Sequence, residues 1–242
     1  FEQLFLAAKK LDWTKHCELM HVKFGLMRGE DLKRLSTRKG KMILLEDVIE
    51  EAIRRARKIV EDKNPHLRQG FGGQAKLSKK EKDSIAKKVG IGALKYNDLS
   101  QNRNTDIVFD WDRMLDFEGN SAPYLQYTYA RLRSIMRKAS KKSYALRTTH
   151  YELLKQPEEI ALMKKVLQFP EAVEDVVKEN LPNLLCNYLW ELANQANTFY
   201  EKFPVLKAET DIRNARLLLI ENIARVLKEG LLTLGIEAPE RV

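Results

Sequence analysis

The stretch that decides the fold runs Ser121-Ala-Pro-Tyr-Leu-Gln-Tyr-Thr-Tyr-Ala-Arg-Leu-Arg-Ser-Ile135. Ser121 and Pro123 mark the start of a helix, because serine caps helix N-termini and proline suits the first helical turn. Beyond them an apolar stripe repeats at helical spacing, formed by Leu125, Tyr129, Leu132 and Met136. Residues three and four apart share one side of a helix, so the stripe predicts a face turned to a core.

A second stripe of the same helix combines aromatic rings with cations. Its members are Tyr124, Tyr127, Arg131, Ser134 and Lys138. Planar rings can stack on bases and cations can contact phosphates, as the binding of a single-stranded RNA loop requires. Aromatic residues at helical spacing also pack into protein cores, so the stripe by itself leaves both alternatives open.

Proline-led helix starts recur along the rest of residues 121–242. They predict helices from Gln156-Pro157 to Leu167, from Pro170 to about Asn180 and from Pro182 onward. A last helix is expected to start at Thr210 or Asp211, with Gly230 or Gly235 near its end. Each has an apolar stripe and the connections between them are short. This half of the chain therefore predicts a helical bundle.

The first half predicts helices with a short β element. Helices are expected over 1–12, 44–59 and 78–89, a strand or hairpin over 19–27, a strand over 105–109, and loops over 29–40 and 110–120. Residues 67–76 contain three glycines and no periodicity, which favours a mobile insertion or linker. The fold class expected for the whole chain is mainly α.

Composition excludes several classes of protein. Hydrophobic residues make up 44% of the 242 positions and charged residues 32%, with 7 prolines and 11 glycines, so the chain is globular rather than disordered or fibrous. No apolar run approaches the 18 residues of a membrane span. Cys17 and Cys186 cannot build a disulfide framework, which favours a reducing compartment.

The positive charge is concentrated in two places. Lys and Arg number 43 against 34 Asp and Glu, a net charge of +9, which is a mild excess. Residues 23–41 carry seven cations and two acids, and residues 131–147 carry seven cations and no acid. A polyanionic ligand is therefore expected to bind at one of these segments.

Most motifs for chemistry are absent or incomplete. His16, Cys17 and His21 are not spaced as a helical ligand pair, so no metal site is expected. The glycines of 70–73 lack the Lys-Ser/Thr ending of a phosphate-binding loop, and Gly90-Ile-Gly92 is too short for a dinucleotide fingerprint.

One loop carries a more specific pattern, Lys33-Arg34-Leu-Ser36-Thr37-Arg38-Lys39-Gly40. Cations and hydroxyls on a stretch that ends in glycine suit a flexible clamp on phosphate oxygens during phosphoryl or nucleotidyl transfer. A solvated basic turn is the alternative for this loop taken alone.

Arg34-Leu-Ser-Thr-Arg38 resembles the KMSKS signature of class I aminoacyl-tRNA synthetases, in the form found in arginyl-tRNA synthetases. Leu45-Glu-Asp-Val-Ile-Glu-Glu-Ala52 resembles the helix that follows it, and His21-Val-Lys-Phe-Gly-Leu26 the segment that precedes it. Arg34 and Leu35 replace the usual Lys and Met. The resemblance implies that Arg34, Ser36, Thr37 and Arg38 are catalytic and that Lys33, Arg34, Arg38 and Lys39 bind ATP. It also implies that Mg²⁺ accompanies the ATP as a cofactor, with no metal ligand among these residues.

The stretch 121–135 is similar to the Ser-Gly-Pro-Tyr-x-Gln-Tyr run that opens the anticodon-binding domain of that family, with Ala122 in place of glycine. Later segments of the DALR-type domain follow in order, up to Gly235-Ile-Glu-Ala-Pro-Glu-Arg-Val242. The resemblance implies contacts with tRNA(Arg) from Tyr124, Tyr127, Arg131, Lys138, Asn197 and Tyr200, of which Asn197 and Tyr200 are the weaker candidates.

We therefore expect the C-terminal portion of a cytoplasmic, monomeric arginyl-tRNA synthetase that contacts no membrane. The expected parts are the end of a Rossmann-type catalytic domain (1–66), a linker and stem-contact region (67–120) and the anticodon-binding bundle (121–242). No HIGH signature or arginine pocket is found, so these residues alone are expected to bind tRNA without aminoacylating it. The alternatives are a non-catalytic tRNA-binding module and a cysteinyl- or glycyl-type class I relative.

Overall fold

A computed structural model describes residues 1–28, 44–63, 77–140 and 151–241. In chain order the elements of the first half are α1 (Glu2–Lys10), β1 (Met27–Arg28), α2 (Leu45–Lys63), α3 (Lys79–Leu99), β2 (Ile107–Val108) and α4 (Trp111–Met114). Those of the second half are α5 (Ala122–Ser140), α6 (Pro157–Leu167), α7 (Phe169–Glu179), α8 (Pro182–Lys202) and α9 (Thr210–Thr233). The predicted mainly α fold class is confirmed. Within the described ranges no helix has the length and apolar character to cross a bilayer.

The small sheet consists of β1 and β2, which pair in parallel with Met27 opposite Ile107 and Arg28 opposite Val108. The strand predicted over residues 19–27 is wrong except at its last residue. Polar groups near β2 bind the segment before β1 instead: Asp106 Oδ1 accepts from the Leu26 amide at 2.8 Å, and Arg103 donates to the Lys23 carbonyl at 3.0 Å. Because β2 is only two residues long, it provides no further backbone groups with which β1 could pair.

Helix α3 begins as predicted and ends later. Ser78 and Glu81 form a capping box, with the Glu81 amide 3.2 Å from Ser78 Oγ and the Ser78 amide 2.8 Å from Glu81 Oε2. The helix was expected to end at Val89 but continues through Gly90-Ile-Gly92 to Leu99. A Cβ placed on Gly90 would lie 2.8 Å from backbone atoms of Ala52. The glycine therefore allows α2 and α3 to pack closely, and tertiary packing outweighs its low helix propensity.

We expect Gly90→Ala to lower the free energy of unfolding by about 1–2 kcal/mol, because moving two helix backbones apart costs more than alanine's helix propensity returns. Gly119→Ala is the matched control, since its new Cβ would meet only the movable carboxylate of Asp116. Urea titrations of the two variants test this. Equal stabilities would show that α2 and α3 can separate without cost.

Among the residues that the structure describes, the buried side chains form two groups. The smaller lies between α2, α3 and the segment after α4, with Ala56, Val60, Val89, Leu115 and Phe117 among its members. The larger fills the bundle of α5, α6, α8 and α9 and includes Tyr96 at the end of α3. Because α3 contributes to both groups, it joins α2 to the bundle.

The predicted helices of the bundle are confirmed to within one or two residues, and Gly230 and Gly235 lie near the end of the last one, as predicted. Proline lies in the first turn of α6, α7 and α8, as the sequence indicated. α9 ends at Thr233, so Gly230 lies inside it, and Gly235 follows with φ at +70°. The predicted loop 110–120 contains the single-turn helix α4, which Asp110 caps by accepting from the amides of Asp112 and Arg113.

Candidate nucleic-acid interface

The predicted RNA-facing stripe lies where α5 packs against α8. At the start of α5 the Ser121 hydroxyl accepts from the Tyr124 amide at 3.2 Å. Four of the six predicted RNA contacts meet here: Tyr124 and Arg131 on α5, and Asn197 and Tyr200 on α8. Asn197, one of the two weaker candidates, contacts both residues on α5.

Tyr124 is the centre of a hydrogen-bond network. Its hydroxyl donates to Asn194 Oδ1 at 2.5 Å and accepts from Asn197 Nδ2 at 3.0 Å. Asn197 Nδ2 also donates to Thr128 Oγ1 at 3.0 Å, and Asn197 Oδ1 accepts from Arg131 Nη1 at 3.5 Å. Asn197 of α8 therefore links Tyr124 to Arg131, while Asn194 bonds Tyr124 alone.

The Tyr124 ring itself is buried, with 9% of the residue exposed. In this arrangement its faces are covered by the protein, so it supports neighbouring groups rather than offering a surface to a base. Helical spacing correctly placed Tyr124 on the same side of α5 as Arg131. It could not show that the ring would be buried where α5 packs against α8. Its direct contact with tRNA stays a prediction.

Arg131 and Tyr200 form a cation–π pair, with the guanidinium carbon 4.4 Å from the ring centroid. Both side chains are half-buried. Burial raises the pKa of Tyr200 and the neighbouring Arg131 lowers it by less, so the phenol stays neutral. A guanidinium held over a ring in this way can still direct N–H groups to phosphate oxygens.

Tyr127 and Lys138 lie on the same side of α5 but outside this network. The Tyr127 ring meets Phe117 edge-on, with centroids 6.4 Å apart, and packs against the smaller core. Lys138 is half-buried near the end of α5, and burial lowers its pKa. Their predicted contacts with tRNA stay predictions.

The opposite side of α5 binds the end of the chain. Arg133 Nε donates to Glu240 Oε2 at 2.8 Å, and Arg137 Nη1 to the Glu240 carbonyl at 3.1 Å. The four cations of 131–147 that the structure describes, Arg131, Arg133, Arg137 and Lys138, therefore do not form one surface. Two of them bind an acid that lies about a hundred residues later, which the local sequence could not reveal.

A second cationic surface lies between α2 and α4. A cleft of about 470 Å³ is lined there by Arg54, Arg55, Lys58, Ile59, Trp111, Asp112 and Leu115. The Arg55 guanidinium lies 4.9 Å from the Trp111 ring, and Glu51 accepts from both Arg54 and Arg55. These hydrogen bonds lower the pKa of Glu51 to about 2, so its negative charge offsets one of the three cations that line the cleft.

The remaining sequence-based candidates carry little chemistry or lie outside the described ranges. Lys33, Arg34, Ser36, Thr37, Arg38 and Lys39 all fall in 29–43, and the glycine-rich insertion in 64–76, which the structure does not describe. No metal-binding group of His, Cys, Asp and Glu occurs among the residues it does describe. Cys17 and Cys186 are free thiols, and burial raises the pKa of Cys186 to about 12.

Comparison with known proteins accounts for both halves of the chain. Residues 1–111 match the family model for the catalytic domain of class I (R) tRNA synthetases, and residues 125–242 match the model for the DALR anticodon binding domain. The chain belongs to the arginyl-tRNA synthetase family.

Curated relatives in this family are similar along the whole chain. An arginine–tRNA ligase from Mannheimia succiniciproducens is 43% identical over 242 residues, which is 100% of this chain and 40% of the relative. One from Crocosphaera subtropica is 44% identical over 246 residues, with the same coverage. The chain thus spans about two fifths of the length of the curated relatives it matches.

Solved arginyl-tRNA synthetases also share the fold. The structure from Thermus thermophilus superposes with a TM-score of 0.77 at 33% identity, covering 92% of this chain and 35% of that one. The structure from Plasmodium falciparum gives a TM-score of 0.78 at 27% identity, covering 100% and 39%. In this member of the arginyl-tRNA synthetase family, Arg131 and Asn197 lie within the residues matched to the anticodon binding domain, and Tyr124 immediately precedes them.

Sequence reasoning missed three side chains of this region. Asn194 lies three residues before Asn197 on α8, a spacing that could have identified it as a second amide on the same face. Gln126 is fully buried and donates to the Lys88 and Glu237 carbonyls. The spacing of nearby residues predicts neither these two hydrogen bonds of Gln126 nor the contact of Glu240 with α5.

Proposed function

We propose that this chain supplies the tRNA-binding surface and the ATP-binding loop of an arginine–tRNA ligase, the enzyme that attaches arginine to tRNA(Arg). The observation that carries the proposal is the Arg131–Tyr200 pair, held by Asn197 within the anticodon-binding domain. A restrained guanidinium on a neutral ring suits an unstacked base and its phosphate.

The reaction has two steps that balance without a further reactant. The arginine carboxylate attacks the α-phosphorus of ATP and pyrophosphate leaves; a hydroxyl of the terminal tRNA ribose then attacks the arginyl carbonyl and AMP leaves. Mg²⁺ accompanies the ATP phosphates and offsets their charge. In the proposal Arg34, Ser36, Thr37 and Arg38, with Lys33 and Lys39, bind the triphosphate as pyrophosphate departs.

The proposal places the protein in the cytoplasm as a monomer that takes part in protein biosynthesis. The match of residues 1–111 to a catalytic domain argues against a purely tRNA-binding module. Relatives that are arginine–tRNA ligases over the whole chain argue against a cysteinyl- or glycyl-type synthetase.

The proposal is tested by measuring the affinity of the 242-residue chain for a tRNA(Arg) transcript and for a non-cognate tRNA over a range of salt concentrations. We expect tighter binding of tRNA(Arg) and a linear fall of log affinity with log salt. Equal affinity for both tRNAs would contradict the proposed specificity, and no binding would contradict the tRNA-binding role.

Arg131→Ala should weaken tRNA(Arg) binding by about tenfold and reduce the salt slope by about one, because one cation–phosphate contact is lost. Arg225→Ala is the matched control, since Arg225 is an exposed arginine of α9 whose ion-pair partner is Glu221. If the slope of the Arg131 variant equals that of the control, Arg131 has a structural role only.

A further inference from the structure

The end of the chain forms a strap, residues 235–241, that crosses α3 and α5. Lys95 Nζ donates to the Gly235 carbonyl at 2.5 Å, and Lys88 Nζ lies 2.9 Å from Glu237 Oε2. From α5, Gln126 Nε2 donates to the Glu237 carbonyl at 2.7 Å. The C-terminal strap is therefore anchored to two helices before it reaches Glu240.

Glu240 then binds three residues of α5 that lie four apart. The Tyr129 hydroxyl donates to Glu240 Oε1 at 2.5 Å and Arg133 Nε to Oε2 at 2.8 Å. Arg137 donates to the backbone carbonyl of Glu240 at 3.1 Å. Residues four apart form one line along a helix, so a single side chain with its own carbonyl holds two turns of α5.

These two turns also carry the RNA-facing cations. Arg131 lies within this segment and Lys138 directly follows it, both on the side of the helix opposite Arg133 and Arg137. Glu240 therefore contacts the segment of α5 that bears Arg131, on the side of the helix opposite Arg131. The glutamate is 50% exposed at its side chain, so its ion pairs add only about 0–1 kcal/mol each to stability.

We propose that Glu240 is a positioning residue for tRNA binding, acting through Arg133 and Arg137 to hold the Arg131-bearing end of α5. This inference rests on the proposed function, since it concerns the same tRNA surface. The proposal predicts that neutralising Glu240 weakens tRNA binding, whereas simple electrostatics predicts that it tightens binding. An acid close to a bound polyanion repels it, so its neutralisation by itself should tighten binding.

The test is the affinity of the 242-residue chain carrying Glu240→Gln for the tRNA(Arg) transcript at fixed salt. We expect binding to weaken about fivefold even though the net charge rises by one, with the melting temperature nearly unchanged. Glu240→Asp keeps the charge on a shorter side chain and should restore part of the affinity. Glu229→Gln, on an exposed acid of α9, serves as the electrostatic control and should leave binding unchanged or slightly tighter.

A double-mutant cycle shows whether Glu240 acts through Arg131. Distant, independent sites give additive changes, so additivity would overturn the proposal, as would unchanged or tighter binding by a folded Glu240→Gln variant. We expect Arg131→Ala to cost less in the Glu240→Gln background than in the original chain. Should Glu240→Gln not fold, the same cycle with Glu240→Asp decides. Failure of the unaltered chain to bind tRNA would instead refute the proposed function.

Discussion

Glu159→Gln is expected to lower the free energy of unfolding by about 3–5 kcal/mol, because it breaks a buried ion pair and leaves one charge without its partner. Arg216 Nε of α9 lies 2.7 Å from Glu159 Oε1, and the two side chains are 12% and 2% exposed. The other carboxylate oxygen accepts from the Gln156 amide at 3.0 Å, which caps α6.

A glutamine in this place cannot serve both donors. Its single oxygen could accept from Arg216 or from the Gln156 amide, and its NH₂ group would then face the remaining donor. The Arg216 guanidinium, which also lies 5.0 Å from the Phe203 ring, would stay buried with its charge uncompensated. Replacing the carboxylate therefore weakens both the cap at the start of α6 and the ion pair between α6 and α9.

The neighbouring residue provides the matched control. Glu158 pairs with Lys202 at 2.6 Å, but these side chains are 27% and 57% exposed. Glu158→Gln should cost no more than about 1 kcal/mol, because solvent screens the pair. Urea titrations of both variants give the comparison. A loss at Glu159 no larger than at Glu158 would show that burial does not strengthen this interaction.

The helices of the bundle could be predicted because their signals are local. Proline starts and apolar stripes depend only on residues a few positions apart, and they located α6, α7 and α8 closely. The end of α3 could not be predicted in this way. Gly90 would ordinarily weaken a helix, and only the distant backbone of Ala52 explains why it lies inside one.

The candidate site could be predicted in part for the same reason. Arg131 and the aromatic residues of α5 follow from helical spacing, and the family resemblance added Asn197 and Tyr200. Spacing cannot show what covers a side chain, so the burial of Tyr124 beneath α8 was missed. Nor can it show that Glu240 lies against Arg133, because their contact depends on how the whole bundle closes.

Tyr124→Ala is expected to cost about 3–5 kcal/mol of stability, the usual loss when a buried aromatic side chain is truncated. Tyr124→Phe keeps the ring and removes only the hydroxyl, which bonds both Asn194 and Asn197. We expect this variant to lose about 1–2 kcal/mol. Tyr151→Phe is the control, since the Tyr151 hydroxyl accepts one exposed bond from Asn222 and its removal should have little effect.

The phenylalanine variant also separates two roles for Tyr124 in binding tRNA. If the ring stacks on a base, phenylalanine should preserve affinity, because its ring stacks as well. If Tyr124 instead holds Asn197, and through it Arg131, affinity should fall about fivefold while the chain stays folded. The burial of the ring favours the second role. If Tyr124→Phe binds tRNA with unchanged affinity and an unchanged salt slope, the stacking role is supported. Arg131 would then be positioned by Tyr200 and Asn197 without help from the Tyr124 hydroxyl.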